Sequence, residues 1–308
     1  MRAPKKEIFK KMPLRKASAK AQSAMEYLMT YGWAILIISV VLAALFQLGV
    51  FNPMTFAPKA PPGACQVFRP DGPGTTSFIN LEGVCSGELP QYTAGFASGS
   101  SKVALSTGLN PGTGSYSVFG WVYLNGFAQK IIVSNGDEYG CSGGFSFDFP
   151  GASGQFRIEI SSGGACQAVY STSNVNLNVW AFVGFTRNST TGTGYLYLNA
   201  NPVGSGTLTN SMSPNAACPT AEIGNMCSNL FNFNGDIANI QIYNTSLSPN
   251  EIKALYLEGI GGAPIDLQHL VGWWPLNGNA NDYSGNGNNG QANNVNFVSN
   301  WYSGYTPP

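Results

Sequence analysis

Apolar positions in this chain follow one rule up to about residue 51 and another beyond it. From Tyr27 to Pro58 no side chain is charged, and residues 27–51 (YLMTYGWAILIISVVLAALFQLGVF) show no polar face. This run predicts a long hydrophobic α-helix over 22–51, able to cross a bilayer, for which about 20 apolar residues suffice. At ~1.5 Å per residue such a helix reaches roughly 45 Å, so part of it is expected to tilt, protrude or pack elsewhere. Asn52-Pro53 ends it, because proline disfavours helix in the residue before it. Residues 52–64 (NPMTFAPKAPPGA) follow as a Pro-rich, extended linker.

Beyond the linker the hydrophobic period shortens to two. Segments 115–124 (SYSVFGWVYL), 130–134, 144–149, 155–161, 179–187 (VWAFVGFTR), 194–199 and 235–243 read as strands separated by Gly, Asn and Ser turns, among them Asn135-Gly136. That spacing predicts a mainly β fold, a sandwich or jelly roll, over 65–308. One helix interrupts it at 247–259. There Ser248 is the N-cap, Pro249 the first helical residue, and Glu251 closes a capping box; Leu247 and Ile252 form a hydrophobic staple and Gly259 ends the segment.

Charge adds an address. The chain is neutral overall, with 15 bases and 15 acids, but residues 1–20 carry eight bases and only Glu7 as an acid. The remainder is acidic, with seven bases against fourteen acids, and offers no cationic surface for nucleic acid. A basic flank before an apolar helix predicts a cytoplasmic leader and an outward C-terminal part. The segment Lys20-Ala21-Gln22-Ser23-Ala24-Met25-Glu26-Tyr27-Leu28 resembles the class III signal peptide of archaeal type IV pilin-like proteins. The resemblance implies cleavage of leader 1–21 after Ala21 by a prepilin peptidase, leaving Gln22 as the new N-terminus and Glu26 as the fifth mature residue. It also implies membrane anchoring and like subunits in a filament. Cleavage creates an α-amino group at Gln22 able to pair with Glu26 of a neighbouring subunit, the alternative being a Glu26 at the headgroups that serves only the peptidase. A carboxylate at mid-bilayer costs ~2.5–3.5 kcal/mol, so Glu26 is expected to be paired or near the interface. A plain N-terminal anchor without processing is the alternative.

A second resemblance covers roughly residues 90–260. Its carriers are Tyr116–Val122 (YSVFGWV), Val179–Thr186 (VWAFVGFT) with Gly194–Asn199 (GYLYLN), Phe233–Asn244 (FNGDIANIQIYN) and the Leu-Ser-Pro-Asn-Glu-Ile start of the helix. Together they resemble the concanavalin A-like sandwich of laminin G-type domains. Gly272-Trp273-Trp274-Pro275-Leu276 and Asn281-Asp282-Tyr283-Ser284-Gly285-Asn286-Gly287 look like the opening strand and turn of such domains, yet stand at the C-terminus. Residues 270–308 are too few for a core of their own, so they are expected to close the same sandwich.

Candidate chemistry is sparse. Six cysteines, Cys65, Cys85, Cys141, Cys166, Cys218 and Cys227, all lie beyond the helix and read as disulfides of an extracellular domain. They allow 15 connectivities; neighbour pairing (65–85, 141–166, 218–227) closes the shortest loops and is the expectation. Asn188 and Asn244 head glycosylation sequons. Gly140-Cys141-Ser142-Gly143-Gly144 matches a nucleophile-elbow pattern, but no helix is expected after it and the chain has one histidine, His269. Glycosidases built on this sandwich need two carboxylates; there is no E-x-D-x-x-E run, and Glu159 reads as a lone acid. Asp282, Ser284 and Asn286 alternate oxygen-bearing side chains before Gly287, the start of a calcium loop, with Asp236 as a further ligand. An Asx-type turn with its own hydrogen bonds is the expectation here, with no cofactor, and one structural calcium is the alternative. Tyr139, Trp301, Tyr302 and Tyr305 lie in loops or the tail as candidate glycan contacts. The expected function is a non-catalytic, cell-surface adhesion or carbohydrate-binding protein that contacts surface glycans or proteins. A purely structural filament or coat subunit is the alternative, and a polysaccharide-cleaving enzyme the reading the residues favour least.

Overall fold

The computed structural model describes residues 18–47, 65–69, 77–81, 89–97, 99–106, 109–127, 130–136, 141–214, 216–227, 229 and 231–308. It divides into two compact units, Met1–Lys59 and Ala60–Pro308. The first contains helix α1 (Ser18–Gln47), 30 residues long. It begins four residues before the span expected from the sequence and ends before Phe51. Side chains are described at Met29 and over 31–45, and the large apolar ones other than Leu45 are exposed, Trp33 at 66% and Ile35 at 63% among them. Among the described residues no helix is long and apolar enough to cross a membrane. The basic leader before residue 18 and the linker 52–64 lie outside the described residues.

The second unit is a sandwich of two antiparallel sheets. The larger orders β12 (Asn201–Thr207), β11 (Thr193–Leu198), β10 (Trp180–Asn188), β5 (Tyr116–Leu124), β14 (Gly235–Tyr243), β3 (Thr93–Phe96) and β17 (Val295–Val298), and β15 (Leu270–Trp274) also pairs with β14. The other orders β16 (Gly290–Asn293), β4 (Lys102–Leu105), β13 (Glu222–Ile223), β6 (Lys130–Ser134), β7 (Gly144–Phe149), β8 (Arg157–Ser162) and β9 (Ala165–Tyr170). A separate ribbon joins β1 (Cys65–Arg69) to β2 (Ser77–Leu81).

The period-two pattern explains both layers of packing. In β5, Val118 and Val122 point into the core between the sheets with Phe145, Phe147, Ile158, Phe185 and Ile240, while Phe119 and Trp121 point the other way. β10 repeats this, with Val183 and Phe185 inward and Trp180 and Phe182 outward. The outward aromatics are covered by helix α2 (Pro249–Leu257), through Ile252 and Leu255, and by Trp301 of the C-terminal tail. The α2 capping box forms: Glu251 Oε2 accepts from Ser248 N at 2.7 Å and Ser248 Oγ from Glu251 N at 3.4 Å.

Residues 270–308 add strands to both sheets. β15 pairs with β14, β16 with β4 and β17 with β3. Adjacent tryptophans diverge, Trp274 into the core between the sheets and Trp273 into the outer cluster. Cys141 is bonded to Cys166 and Cys218 to Cys227. Cys85 lies outside the described residues, as does the side chain of Cys65.

The outer cluster tolerates no added bulk at Gly184. The Phe119 ring stacks on Phe182 at 5.5 Å and lies directly over Gly184, where a Cβ would come within 2.0 Å of it. Gly184→Ala should therefore destabilise the sandwich by ~1–3 kcal/mol through overpacking. Thermal melting should show a fall of about 2–4 °C per kcal/mol for a domain of this size; an unchanged midpoint would refute this packing.

Candidate functional site

Two groups of polar side chains bear on the candidates read from the sequence. The first lies on the face of the smaller sheet opposite the core. Pairing of β7 with β8 sets Asp148 across from Arg157 and Ser146 across from Glu159. Arg157 Nε donates to Asp148 Oδ1 at 2.9 Å and Nη2 to Oδ2 at 3.1 Å, and Nη1 donates to Glu159 Oε2. The guanidinium also lies over the Tyr170 ring, 5.9 Å from its centroid. Asp148 is fully buried, and Arg157 and Glu159 nearly so. Glu159 is thus not the isolated acid the sequence suggests. Asp148, in Phe147-Asp148-Phe149, carried the signal of a polar residue alternating with core phenylalanines, but only strand pairing reveals its partner. Both carboxylates act as acceptors to one guanidinium. Glycoside hydrolysis instead needs an acid and a base or nucleophile flanking the scissile bond.

The second lies in the connection from β15 to β16. Asp282 Oδ1 accepts from Trp273 N at 3.0 Å and Ser284 N at 2.8 Å, and Oδ2 accepts from Asn288 N at 2.8 Å. Asp282 N donates to Asn289 Oδ1 at 3.0 Å. Ser284 Oγ accepts from Asn286 N at 3.2 Å, and Asn286 Nδ2 donates to the carbonyls of Leu270 at 2.7 Å and Val271 at 3.1 Å. These side chains pin the loop to β15 in the manner of Asx turns. Tyr283 packs edge-on to Trp273 at 6.2 Å, and its hydroxyl accepts from Asn279 Nδ2 at 3.0 Å. Gly285 and Gly287 take φ of 88° and 76°, which glycine adopts without steric cost. The loop surrounds a pocket of ≈ 370 Å³ lined by Asn281, Asp282, Tyr283, Gly285, Gly287 and Asn289.

The hydrogen bonding of this donor array is that of an Asx-type turn. Each Asp282 oxygen already faces backbone N–H groups, whose positive ends oppose a cation, and Asn286 turns its donor nitrogen onto carbonyls. Asp236 is not part of the loop. It lies near the start of β14, in register with Gly95 and Tyr123, whereas β15 pairs with the later segment Ile240–Tyr243. Among the described residues no group of three or more His, Cys, Asp or Glu side chains is placed to hold a metal.

The remaining candidates separate by burial. Trp301 is buried, its Nε1 donating to Pro90 O at 3.0 Å and its carbonyl accepting from Trp180 Nε1 at 2.9 Å. Tyr305 packs edge-on to Trp121 at 5.4 Å, and its hydroxyl accepts from Ile260 N at 3.2 Å. Both anchor the tail, Trp301 buried and Tyr305 partly buried. Tyr302 is half exposed beside Trp301. Tyr139 lies outside the described residues, and Ala21, Gln22 and Glu26 fall in α1 with side chains outside them. Asn188 Oδ1 accepts from Thr190 N at 2.9 Å, while Asn244 is exposed. Cys141 of the elbow-like pattern is disulfide-bonded, the next element is strand β7, and His269 pairs with Asp266 at 2.7 Å.

The family model described as the concanavalin A-like lectin/glucanases superfamily matches residues 97–253. No curated protein matches the chain in sequence. Among solved structures, a Bacteroides ovatus protein to which carbohydrate binding is ascribed superposes with a TM-score of 0.54 at 15% identity. The match covers 73% of this chain and 64% of that one, so the chain spans less than two thirds of its length. A heptameric pentraxin from Limulus polyphemus matches with a TM-score of 0.44 at 12% identity, over 55% of this chain and 83% of that one. Domain 4 of an extracellular arabinanase from Geobacillus stearothermophilus, in complex with arabinotriose, matches with a TM-score of 0.41 at 18% identity, over 62% and 81%.

Asp236 gives the domain a pH dependence of defined sign. Its carboxyl accepts no hydrogen bond among the described residues, and burial pushes it up from 3.8 to about 6. A carboxyl raised on folding stabilises the fold fully below its unfolded value, and this contribution is lost as pH rises through its folded value. Asp236→Asn should therefore melt higher than the parent at pH 7.5 and not at pH 4. Thermal scans at the two pH values check this, and an equal gain at both would refute it.

Proposed function

The chain belongs to the concanavalin A-like lectin/glucanases superfamily, and on that premise we propose that it is a non-catalytic carbohydrate-binding protein displayed at the cell surface. The observation that carries this reading is the polar pocket between β15 and β16, lined by carboxamides and a tyrosine. Binding sites need a concave surface with a few convergent polar groups, and this loop supplies one on a rigid strand-anchored frame. The shared fold with the Bacteroides ovatus protein agrees with it. The non-catalytic half of the reading rests on Arg157, which ties both Asp148 and Glu159.

Display rests on the N-terminal sequence. The basic leader, Gln22-Ser23-x-x-Glu26 and the charge-free run 27–58 support a pilin-like precursor cut after Ala21 by a prepilin peptidase. The exposed apolar side chains of α1 favour a helix whose partners are lipid or like subunits. The β unit then faces outward, its disulfides suiting an oxidising exterior. That same helix supports a second reading, a filament or coat subunit without glycan affinity.

Two measurements test these proposals. A glycan array probed with the purified full chain, paired with a reducing-end assay, should show binding without hydrolysis. Sustained cleavage of a polysaccharide would overturn the non-catalytic reading, and silence on every glycan would leave the filament or coat subunit. Mass spectrometry of the native protein should find a mature chain beginning at Gln22, and an intact Met1 terminus would end the pilin-like proposal.

A further inference from the structure

We infer that the loop pocket takes a neutral sugar and does so without calcium; this rests on the carbohydrate-binding reading above. The pocket is lined by two groups left over after the loop has satisfied itself. Among the described residues the Asn281 carboxamide makes no hydrogen bond, and Asn289 commits only its Oδ1, to Asp282 N, leaving Nδ2 free. A carboxamide offers both donors and acceptors, which suits adjacent hydroxyls, each itself donor and acceptor. The Tyr283 ring, also in the lining, is held in place by Trp273 and Asn279. Gly287 borders open space, since a Cβ there would meet nothing within 4 Å.

Charge narrows the ligand class. No basic side chain lines the pocket, and its one charged residue is Asp282. A uronate or sialate carboxylate would meet that carboxylate without a cation to offset it, and like charges repel. Calcium bridging has little to hold it here, because the two Asp282 oxygens already accept three backbone N–H bonds of the roughly four a carboxylate can take, and no second carboxylate lines the pocket. Hydroxyl-rich neutral sugars need no such cation.

Calorimetric titration of the purified full chain tests this with a neutral panel (cellotriose, mannotriose, arabinotriose) and an acidic one (sialyllactose, trigalacturonate), each in calcium and in EDTA. Binding is expected from the neutral panel alone, with the same Kd in both buffers. Asn281→Ala removes a side chain with no intramolecular bond, so its melting temperature should match the parent while binding weakens about fivefold to tenfold, the loss of one to two hydrogen bonds. Asn289→Ala should weaken binding similarly and is compared at its own melting temperature, since it also releases Asp282 N. Preference for the acidic panel, a requirement for calcium, or neutral-sugar binding unchanged in both variants would overturn the inference while leaving carbohydrate binding intact. Silence on both panels would overturn the carbohydrate-binding reading and the inference with it.

Discussion

Burial of both faces of the sheet at β5, β10 and β14 is the constraint on which the rest of this domain depends. Most sandwich strands bury one face and solvate the other; here Phe119, Trp121, Trp180 and Phe182 face away from the inter-sheet core and still must leave water. Helix α2 and the tail through Trp301 supply that second cover. The C-terminal segment is therefore part of the core. Its adjacent tryptophans, Trp273 and Trp274, enter the two clusters on opposite sides of β15, which fixes the strand in register and rotation. The loop leaving β15 inherits that rigidity, because Asp282, Asn286 and Asn288 all bond back to its backbone.

Three acidic residues illustrate how the fold disposes of charge in a chain with few charged residues. Asp148 is paired with Arg157, where a bidentate guanidinium meets the cost of burial with strong charge-assisted bonds. Asp282 accepts from three backbone amides, so its negative charge organises a turn. Asp236 receives neither, and desolvation raises its carboxyl. None of the three is arranged as one of two carboxylates facing an open cleft. At the 281–289 loop the polar surface is amide and hydroxyl in character beside Asp282.

Family membership and the loop geometry bear on different questions. The match over 97–253 stops before β15, so the pocket lies in the part of the chain outside it. A fold shared at 15% identity speaks to architecture alone, and function has to be argued from the site itself. The helix α1 belongs to a separate compact unit, and most of its described apolar side chains are exposed.

What the sequence by itself determined was local. Period-two alternation of aromatic and β-branched residues marked the strands Lys130–Ser134, Gly144–Phe149 and Gly235–Tyr243 at their observed bounds, and the capping box marked the start of α2. The concanavalin A-like class was legible from the same motifs. β12 was not, because Pro202, Gly204 and Gly206 have poor strand propensity; the segment is a strand only because it pairs along the sheet edge with β11. Tertiary structure alone brought Asp148 to Arg157, turned Trp301 and Tyr305 from candidate sugar platforms into tail anchors, and separated Asp236 from the Asp282 loop. The physical reason is common to all of these. Strand pairing joins residues far apart in sequence, and a side chain's role depends on which face and which neighbour that pairing assigns it, information that no local pattern carries.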